Sequence, residues 1–424
     1  MRILFISHFI PHPPTGGASL RNFNIVKELS RDHEVHLVTF TQRDRHPSSA
    51  RVEESRKFLK PLCKEISIAK IPSDANRLFW YGLLVANIFS PEPYSSWRFR
   101  SGAFSRAIKD QLDRYQFDVV HVDTIALAWC RHLLRGLPAV LNHHNIESTL
   151  LRRRAESERT LPKKLYIRYQ SWKLRRAERA AVRAFDGNVV VSNVDRTELL
   201  GIVPEASVHE VPNGTDTDFF KPNPSTKESC SLVFAGSMGW YPNSDAMSLF
   251  AQDIWPSIKR ACPDVTMNLI GSKPPSDVAR VGQRDPQFKV LGFVDDVRPI
   301  IEAAAVYVVP IRVGGGTRLK ILDAMAMGKA IVSHPIGAEG IRVTDGVDIV
   351  LAEKPEDFAS RVVELLGDPA RRAALSSAAR ETAVTRYAWD RIIPRLTACY
   401  EVVRSVSRRR ALLRDPGGPR EELD

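Results

Sequence analysis

At 424 residues the chain is too long for a single hydrophobic core, so two domains are the expected organisation. Its 43% apolar and 26% charged content describes an ordinary globular protein, and the net charge of +12 sits early: residues 1–220 hold 33 Lys+Arg against 24 Asp+Glu, the remainder 28 against 25. Five scattered cysteines without a CxxC argue against a disulfide framework or structural zinc site, and for a reducing compartment.

The N-terminus, MRILFISHF, lacks the charged n-region, long h-region and cleavage site of a signal peptide. It reads instead as a first strand, ILFISH (3–8). A turn-rich loop, PHPPTGG (11–17), follows, and a helix is expected to open near Ser19. Gly16 and Gly17 thus place permissive backbone at a helix start beside a strand end, where an anion can bind; a plain connector is the alternative. Strands are then predicted at VHLVTF (35–40), EISIAK (65–70), DVVHVD (118–123), PAVLNHH (138–144), GNVVVS (187–192) and SVHEVPN (207–213). Such apolar, β-branched runs alternating with helix-length segments predict a parallel sheet covered on both faces.

Two stretches between these strands stand out. RLFWYGLLVANIFSPEPYSSWRFR (77–100) is aromatic with cations at both ends, and 151–183 holds twelve basic residues against three acidic ones. Its longest apolar-rich run, 78–89, falls well short of the ~20 residues a membrane-spanning helix needs. Aromatics beside Lys and Arg fit an anionic membrane surface; a solvated helix face is the competing reading. No nucleic-acid motif accompanies the charge. The expectation is a cytoplasmic protein, soluble or peripheral on the inner face of a membrane.

LNHHNIES (141–148) closes the fifth strand with His143, His144, Asn145 and Glu147. It lacks the i, i+4 His spacing of a helical zinc site, so catalysis or structure is expected there rather than metal. The polar stretch 216–229 is the linker candidate. Strands then restart at SLVFAGS (231–237), VTMNLIGS (265–272), KVLGFV (289–294), AVYVVPI (305–311) and KAIVSHPIG (329–337). Between the last two, Gly314, Gly315 and Gly316 precede Thr317, an expected N-cap, and a helix with Leu319, Leu322 and Ala326 on its buried face. Lys320 and Asp323 share a different face. Arg318 and Lys320 add charge to a helix N-terminus that already favours anions. No GK[ST] or GxGxxG is present, so neither a P-loop nor a dinucleotide fingerprint is expected. An amphipathic helix interrupted at Pro394 and a disordered tail complete the chain.

These pieces together resemble the GT-B glycosyltransferases of family 4, retaining nucleotide-sugar transferases. The resemblance rests on PPTGG (13–17), the HN pair 144–145, VVSNVDRTELL (190–200), VPNGTDTDFFKP (211–222), FAGSM (234–238), LIGS (269–272), LGFVDD (291–296) and LKILDAMAMGKAIVS (319–333). It implies two Rossmann-like α/β domains: 1–215 for the acceptor, a linker at 216–229, and 230–388 for the donor. A helix at 389–412 should cross back to the first domain, with a disordered tail at 413–424.

The resemblance also implies a metal-independent reaction in the cleft, with a UDP- or GDP-sugar as co-substrate, no other cofactor, and a glycan or lipid-linked acceptor. Asp323 matches the residue that holds the ribose. Gly236 and Ser237 match the loop at the diphosphate, and Gly16 and Gly17 a loop over the donor. Gly292 and Val294 match the segment against the base, and His144 the active-site histidine. Two departures stand out. The family's Glu-x7-Glu has Gly315 at its first position and Asp323 at its second, which makes Glu339 a candidate replacement. The family's Arg-Lys pair after the first strand of the donor domain is also missing. Gly316, Thr317, Arg318 and Lys320 are expected to meet the diphosphate instead. A nucleotide-sugar hydrolase or epimerase, or a binding protein with an inactive site, remains compatible with the same residues.

Overall fold

The computed structural model describes residues 1–414, apart from 15, 44, 75, 76 and 159. Two compact units are present: Met1–Pro212 together with the chain from Ile393, and Asn213–Ile392. Each is an α/β unit built on one parallel sheet.

The first sheet has seven strands: β1 (Arg2–Ser7), β2 (Glu34–Thr41), β3 (Glu65–Lys70), β4 (Val119–Val122), β5 (Ala139–His143), β6 (Gly187–Val190) and β7 (Val208–Glu210). Their order is β3-β2-β1-β4-β5-β6-β7, and every pairing is parallel. Leu4, Ile6, Val38, Phe40, Val120 and Val122 lie buried in one cluster with Phe104, Ile108 and Leu174 from the covering helices. Burial on both faces is why these strands read as continuous apolar runs rather than alternating ones.

The second sheet has six: β8 (Ser229–Ala235), β9 (Thr266–Ile270), β10 (Phe288–Gly292), β11 (Ala304–Val309), β12 (Ala330–Ser333) and β13 (Val350–Leu351). Their order is β10-β9-β8-β11-β12-β13, again all parallel. The strand β13 was not expected, because two residues are too few to carry a periodic signal.

Three expectations need correction. The 216–229 stretch lies within the second unit rather than forming a linker. Arg380 fixes it by donating to the carbonyls of Thr217 and Phe220, and Arg372 pairs with Glu228. The last helix, Trp389–Arg414, runs through Pro394 without interruption. A proline removes one i→i−4 bond, and here the carbonyl it strands belongs to Asp390, an exposed residue that water can serve. The glycine-loop helix begins at Gly17 rather than near Ser19.

From Ile393 the last helix packs on the first unit. The Tyr400 hydroxyl meets His121 Nδ1 at 2.8 Å, and Arg404 donates to Asp118 at 2.8 Å. A Cβ on Gly187 would come within 2.7 Å of Val403, so this contact is close. The tail from residue 415 lies outside the described residues.

Candidate active site

The strand order of each sheet reverses once, between β1 and β4 and between β8 and β11. Ligands of open α/β sheets bind beyond the carboxyl ends of strands at such a reversal. Both units carry a polar cluster at that place.

In the second unit the exits of β8, β9 and β10 are laced by backbone. The Gly236 N–H donates to the Ile270 carbonyl at 2.9 Å, and the Gly271 N–H to the Gly292 carbonyl at 2.7 Å. Gly271 has φ +151°, and a Cβ there would lie 2.0 Å from the Gly236 carbonyl oxygen. Only glycine allows that approach. Lys320 sits on the same loop: a Cβ on Gly236 would be 2.3 Å from its Nζ. The ammonium donates to Asn243 Oδ1 at 2.9 Å and lies 4.0 Å from the Phe234 ring centroid. Asn243 Nδ2 in turn donates to the Ser237 carbonyl at 2.8 Å. Burial, with Arg318 adding repulsion, lowers the Lys320 pKa to about 7.

One turn on, Asp323 accepts the Thr215 hydroxyl at 2.8 Å. Burial raises its pKa to about 7 despite that bond, with Asp216 adding repulsion. The helix carrying both residues spans Leu319–Ala326, and its N-cap is Arg318, with no side-chain capping bond. Thr317 therefore does not cap it, and its Oγ1 is buried without a hydrogen-bond partner. Arg318 folds back on its own loop, donating to the carbonyls of Gly315, Gly316 and Val313. Gly292 closes β10 at φ +70°, Val294 is partly buried against the core, and Phe293 between them is 79% exposed. Glu339 follows the turn Pro335–Ala338 beyond β12. That turn lies against the end of β11, since a Cβ on Gly337 would be 3.1 Å from the Val309 carbonyl oxygen.

In the first unit Gly16 has φ +89° and serves as N-cap of the helix Gly17–Asp32, which no side chain caps. The centre of the cluster is Asp123, at the exit of β4 and fully buried. Its Oδ2 meets His8 Nδ1 at 2.8 Å and its Oδ1 meets His144 Nε2 at 2.8 Å. Burial alone would raise this carboxyl, but the charge and hydrogen bonds of His144 and His8 outweigh burial and hold it well below the usual range. Asn142 Nδ2 donates to the Asp123 carbonyl at 3.2 Å, while its Oδ1 accepts from Arg21 at 3.3 Å. Arg21 is wholly buried and also donates to the carbonyls of Pro212 and Val211 at 2.8 and 2.9 Å. Burial raises the Glu147 pKa, and His8 works against that rise.

His143 separates from its neighbour. It points to Asn188 at 3.2 Å, and burial lowers its pKa to about 4. His8, Arg21 and Asp123 carry no local motif. The usable signal was positional, since His8 and Asp123 end predicted strands.

Residues 15–219 match the family described as Glycosyltransferase Family 4, and residues 229–368 the family described as Glycosyl transferases group 1. The chain belongs to the family 4, group 1 glycosyltransferases. It is 20% identical over 377 residues to an uncharacterized 44.6 kDa protein in the cps region of Klebsiella pneumoniae, covering 85% of this chain and 90% of that one. It is 27% identical over 206 residues to the GDP-mannose-dependent monoacylated alpha-(1-6)-phosphatidylinositol monomannoside mannosyltransferase of Corynebacterium glutamicum. That match spans 44% of this chain and 54% of the enzyme, so it reaches little more than half of the relative. Among solved structures, Anabaena HepE in complex with UDP superposes with a TM-score of 0.65 at 16% identity, over 95% of this chain and all of that one. The two-sheet architecture of this glycosyltransferase is GT-B.

Proposed function

We propose that this glycosyltransferase moves a sugar, with retention of anomeric configuration, from a nucleoside diphosphate to a hydroxyl of a glycan or lipid-linked acceptor. The observation that carries the reading is the Lys320 ammonium seated on Gly236 at the β8 exit, with Asp323 one turn further along the same helix. The leaving diphosphate gains charge as the bond from C1 to phosphate oxygen breaks, and fixed positive groups lower that barrier. Lys320 and the backbone N–H groups at Gly316, Thr317 and the helix start supply them, together with Gly236 and Ser237. Arg318 serves by holding the glycine loop in shape, and by its charge. Gly16 and Gly17 offer backbone N–H groups to a donor phosphate. Asp323 accepts from the ribose hydroxyls, and Gly292 and Val294 line the base.

His144, held by Asp123, steadies the oxocarbenium-like sugar, and Glu339 takes the place of the acidic residue missing at Gly315. The acceptor oxygen attacks C1 on the face the diphosphate leaves, and its proton passes to the departing phosphate oxygen. The UDP-bound neighbour and the GDP-mannose-dependent relative support a UDP- or GDP-sugar donor, and the phosphatidylinositol monomannoside in the latter's name supports a lipid-linked acceptor.

A thermal-shift panel of UDP-, GDP-, ADP- and dTDP-sugars tests the donor. One of them should raise the melting temperature, and silence from all would sink the reading. Release of nucleoside diphosphate without any acceptor would point to a hydrolase instead.

A further inference from the structure

Outside both clusters, the first unit carries a face made by two helices, Arg77–Ile88 and Leu161–Ala184. Residues 75, 76 and 159 and the side chains of 77–79 lie outside the described residues, so the aromatic-cation pattern is read from residue 80 onward. The two helices are joined near the C-terminus of the first. The Tyr169 hydroxyl donates to the Ile88 carbonyl at 2.9 Å, and the buried Lys173 ammonium donates to the Asn87 carbonyl at 2.5 Å. Gln170 donates to the Asn87 side chain at 3.0 Å. Every partner of this joint is polar and satisfied, yet what it presents outward is apolar.

From the first helix, Tyr81, Val85 and Ile88 are exposed at helical spacing, and Phe89 just beyond is 86% exposed. Residues 80–89 contain no charge. On the second helix Leu161, Leu165, Tyr169 and Trp172 are exposed and fall on one stripe by the 3.6-residue repeat. Tyr169 and Trp172 stack at 6.1 Å, and the Arg176 guanidinium lies 5.0 Å over Trp172. Arg168 lies beside that stripe, Arg176 and Arg179 extend it, and Arg175 stands at its edge, all four exposed. The one acid of this helix, Glu178, is buried and receives the Ser148 N–H and hydroxyl instead of facing the arginines.

We infer that this face is a docking surface for an anionic phospholipid bilayer, with the apolar and aromatic residues entering the interface and the arginine stripe meeting headgroups. Charge decides the occupant. A second copy would set arginine stripe against arginine stripe, since no exposed acid lies on that helix. Exposed aromatics flanked by guanidinium groups suit a boundary that is apolar on one side and anionic on the other. No helix among the described residues is long and apolar enough to cross a membrane, so attachment would be lateral. This inference does not depend on the sugar-transfer reading.

Flotation of the full chain with vesicles tests it. Vesicles of phosphatidylcholine mixed with phosphatidylglycerol should bind at least tenfold more tightly than phosphatidylcholine alone, with the preference lost at high salt. The double variants Val85→Ser/Phe89→Ser and Arg175→Glu/Arg176→Glu should each weaken binding at least tenfold. Both alter exposed side chains, so circular dichroism and any thermal shift given by UDP or GDP should stay as in the unaltered chain. Absence of binding, equal binding to neutral vesicles, or variants that bind like the parent would overturn the inference. So would self-association abolished by the variants without vesicle binding, which would assign the face to a second copy. A failed flotation with an intact nucleotide shift would leave the transferase reading standing.

Discussion

Asp123 is the residue on which the first unit's chemistry converges. It is a fully buried carboxylate bound to two imidazoles, each at 2.8 Å. An asparagine there keeps the size but faces one histidine with an N–H instead of an oxygen and removes the charge. Asp123→Asn should lower kcat on the order of 10²-fold with the donor KM unchanged, and steady-state kinetics would show it. Loss of donor binding with kcat kept would assign Asp123 to the fold instead. Asp323 couples folding stability to pH. Its folded pKa of about 7 stands above the ordinary carboxylate value, so its contribution to stability is complete below about pH 4 and lost as pH rises through about 7. Asp323→Asn should therefore stabilise the unliganded protein above pH 7 by up to about 2 kcal/mol while abolishing the nucleotide shift. Thermal melts from pH 5 to about pH 9 would check it, and a variant less stable at high pH would contradict the burial argument. Because Lys320 and backbone N–H groups carry the positive charge in this reading, EDTA should leave turnover unchanged; a chelator-sensitive rate would require a cation the proposal does not use. At this scale the sequence showed Lys320, Asp323 and His144, each inside a local pattern. It hid Asp123 and His8, which lie 115 positions apart and meet only because β1 and β4 are neighbours in the sheet. It also set His143 beside His144 with nothing local to tell which ring turns to Asp123 and which to Asn188.

At the scale of elements, function follows from what leaves each strand. Gly236 and Gly271 occupy neighbouring exits but resist substitution for different reasons. A Cβ on Gly271 meets a backbone oxygen at 2.0 Å with φ already at +151°, and backbone cannot step aside. A Cβ on Gly236 meets side chains rather than backbone, the tip of Lys320 and, at 2.9 Å, Asn243 Nδ2, and both can turn aside. Gly271→Ala should destabilise the second unit by about 2–4 kcal/mol. Gly236→Ala should change its melting temperature little and weaken nucleotide binding about tenfold, because the lysine loses its place. Titration calorimetry and melting curves of the two variants separate the effects; similar melting losses in both would mean Lys320 is not free to move. Twelve of the thirteen strands among the described residues were readable, since burial on both faces writes each as an apolar run. The element ends were less so. The helix after the glycine loop starts at Leu319 with Arg318 as N-cap rather than Thr317, because capping preference is a tendency that the loop's own backbone path overrides.

For the whole molecule, the division at Pro212 and Ile393 gives each unit its own sheet and its own buried core. Cooperative unfolding follows the core, so a chain with two cores need not melt as one. Ligand linkage then acts on whichever unit holds the ligand. At a nucleotide concentration 100 times Kd the gain is about 2.7 kcal/mol, which for a unit of this size is roughly 5–10 °C. The assigned nucleotide contacts lie mostly in Asn213–Ile392, so scanning calorimetry with UDP or GDP should move one transition by about that much and leave the other within a degree or two. Tyr400→Phe should do the reverse. It removes the hydroxyl that meets His121, a ring whose burial lowers its pKa to about 3 and leaves it neutral, and so loosens the terminal helix from the first unit. A cost of about 1 kcal/mol, some 2–4 °C, should appear in the nucleotide-insensitive transition alone. If both perturbations move a single transition together, the units are energetically one body, and the assignment of donor binding to the second unit would need a separate proof.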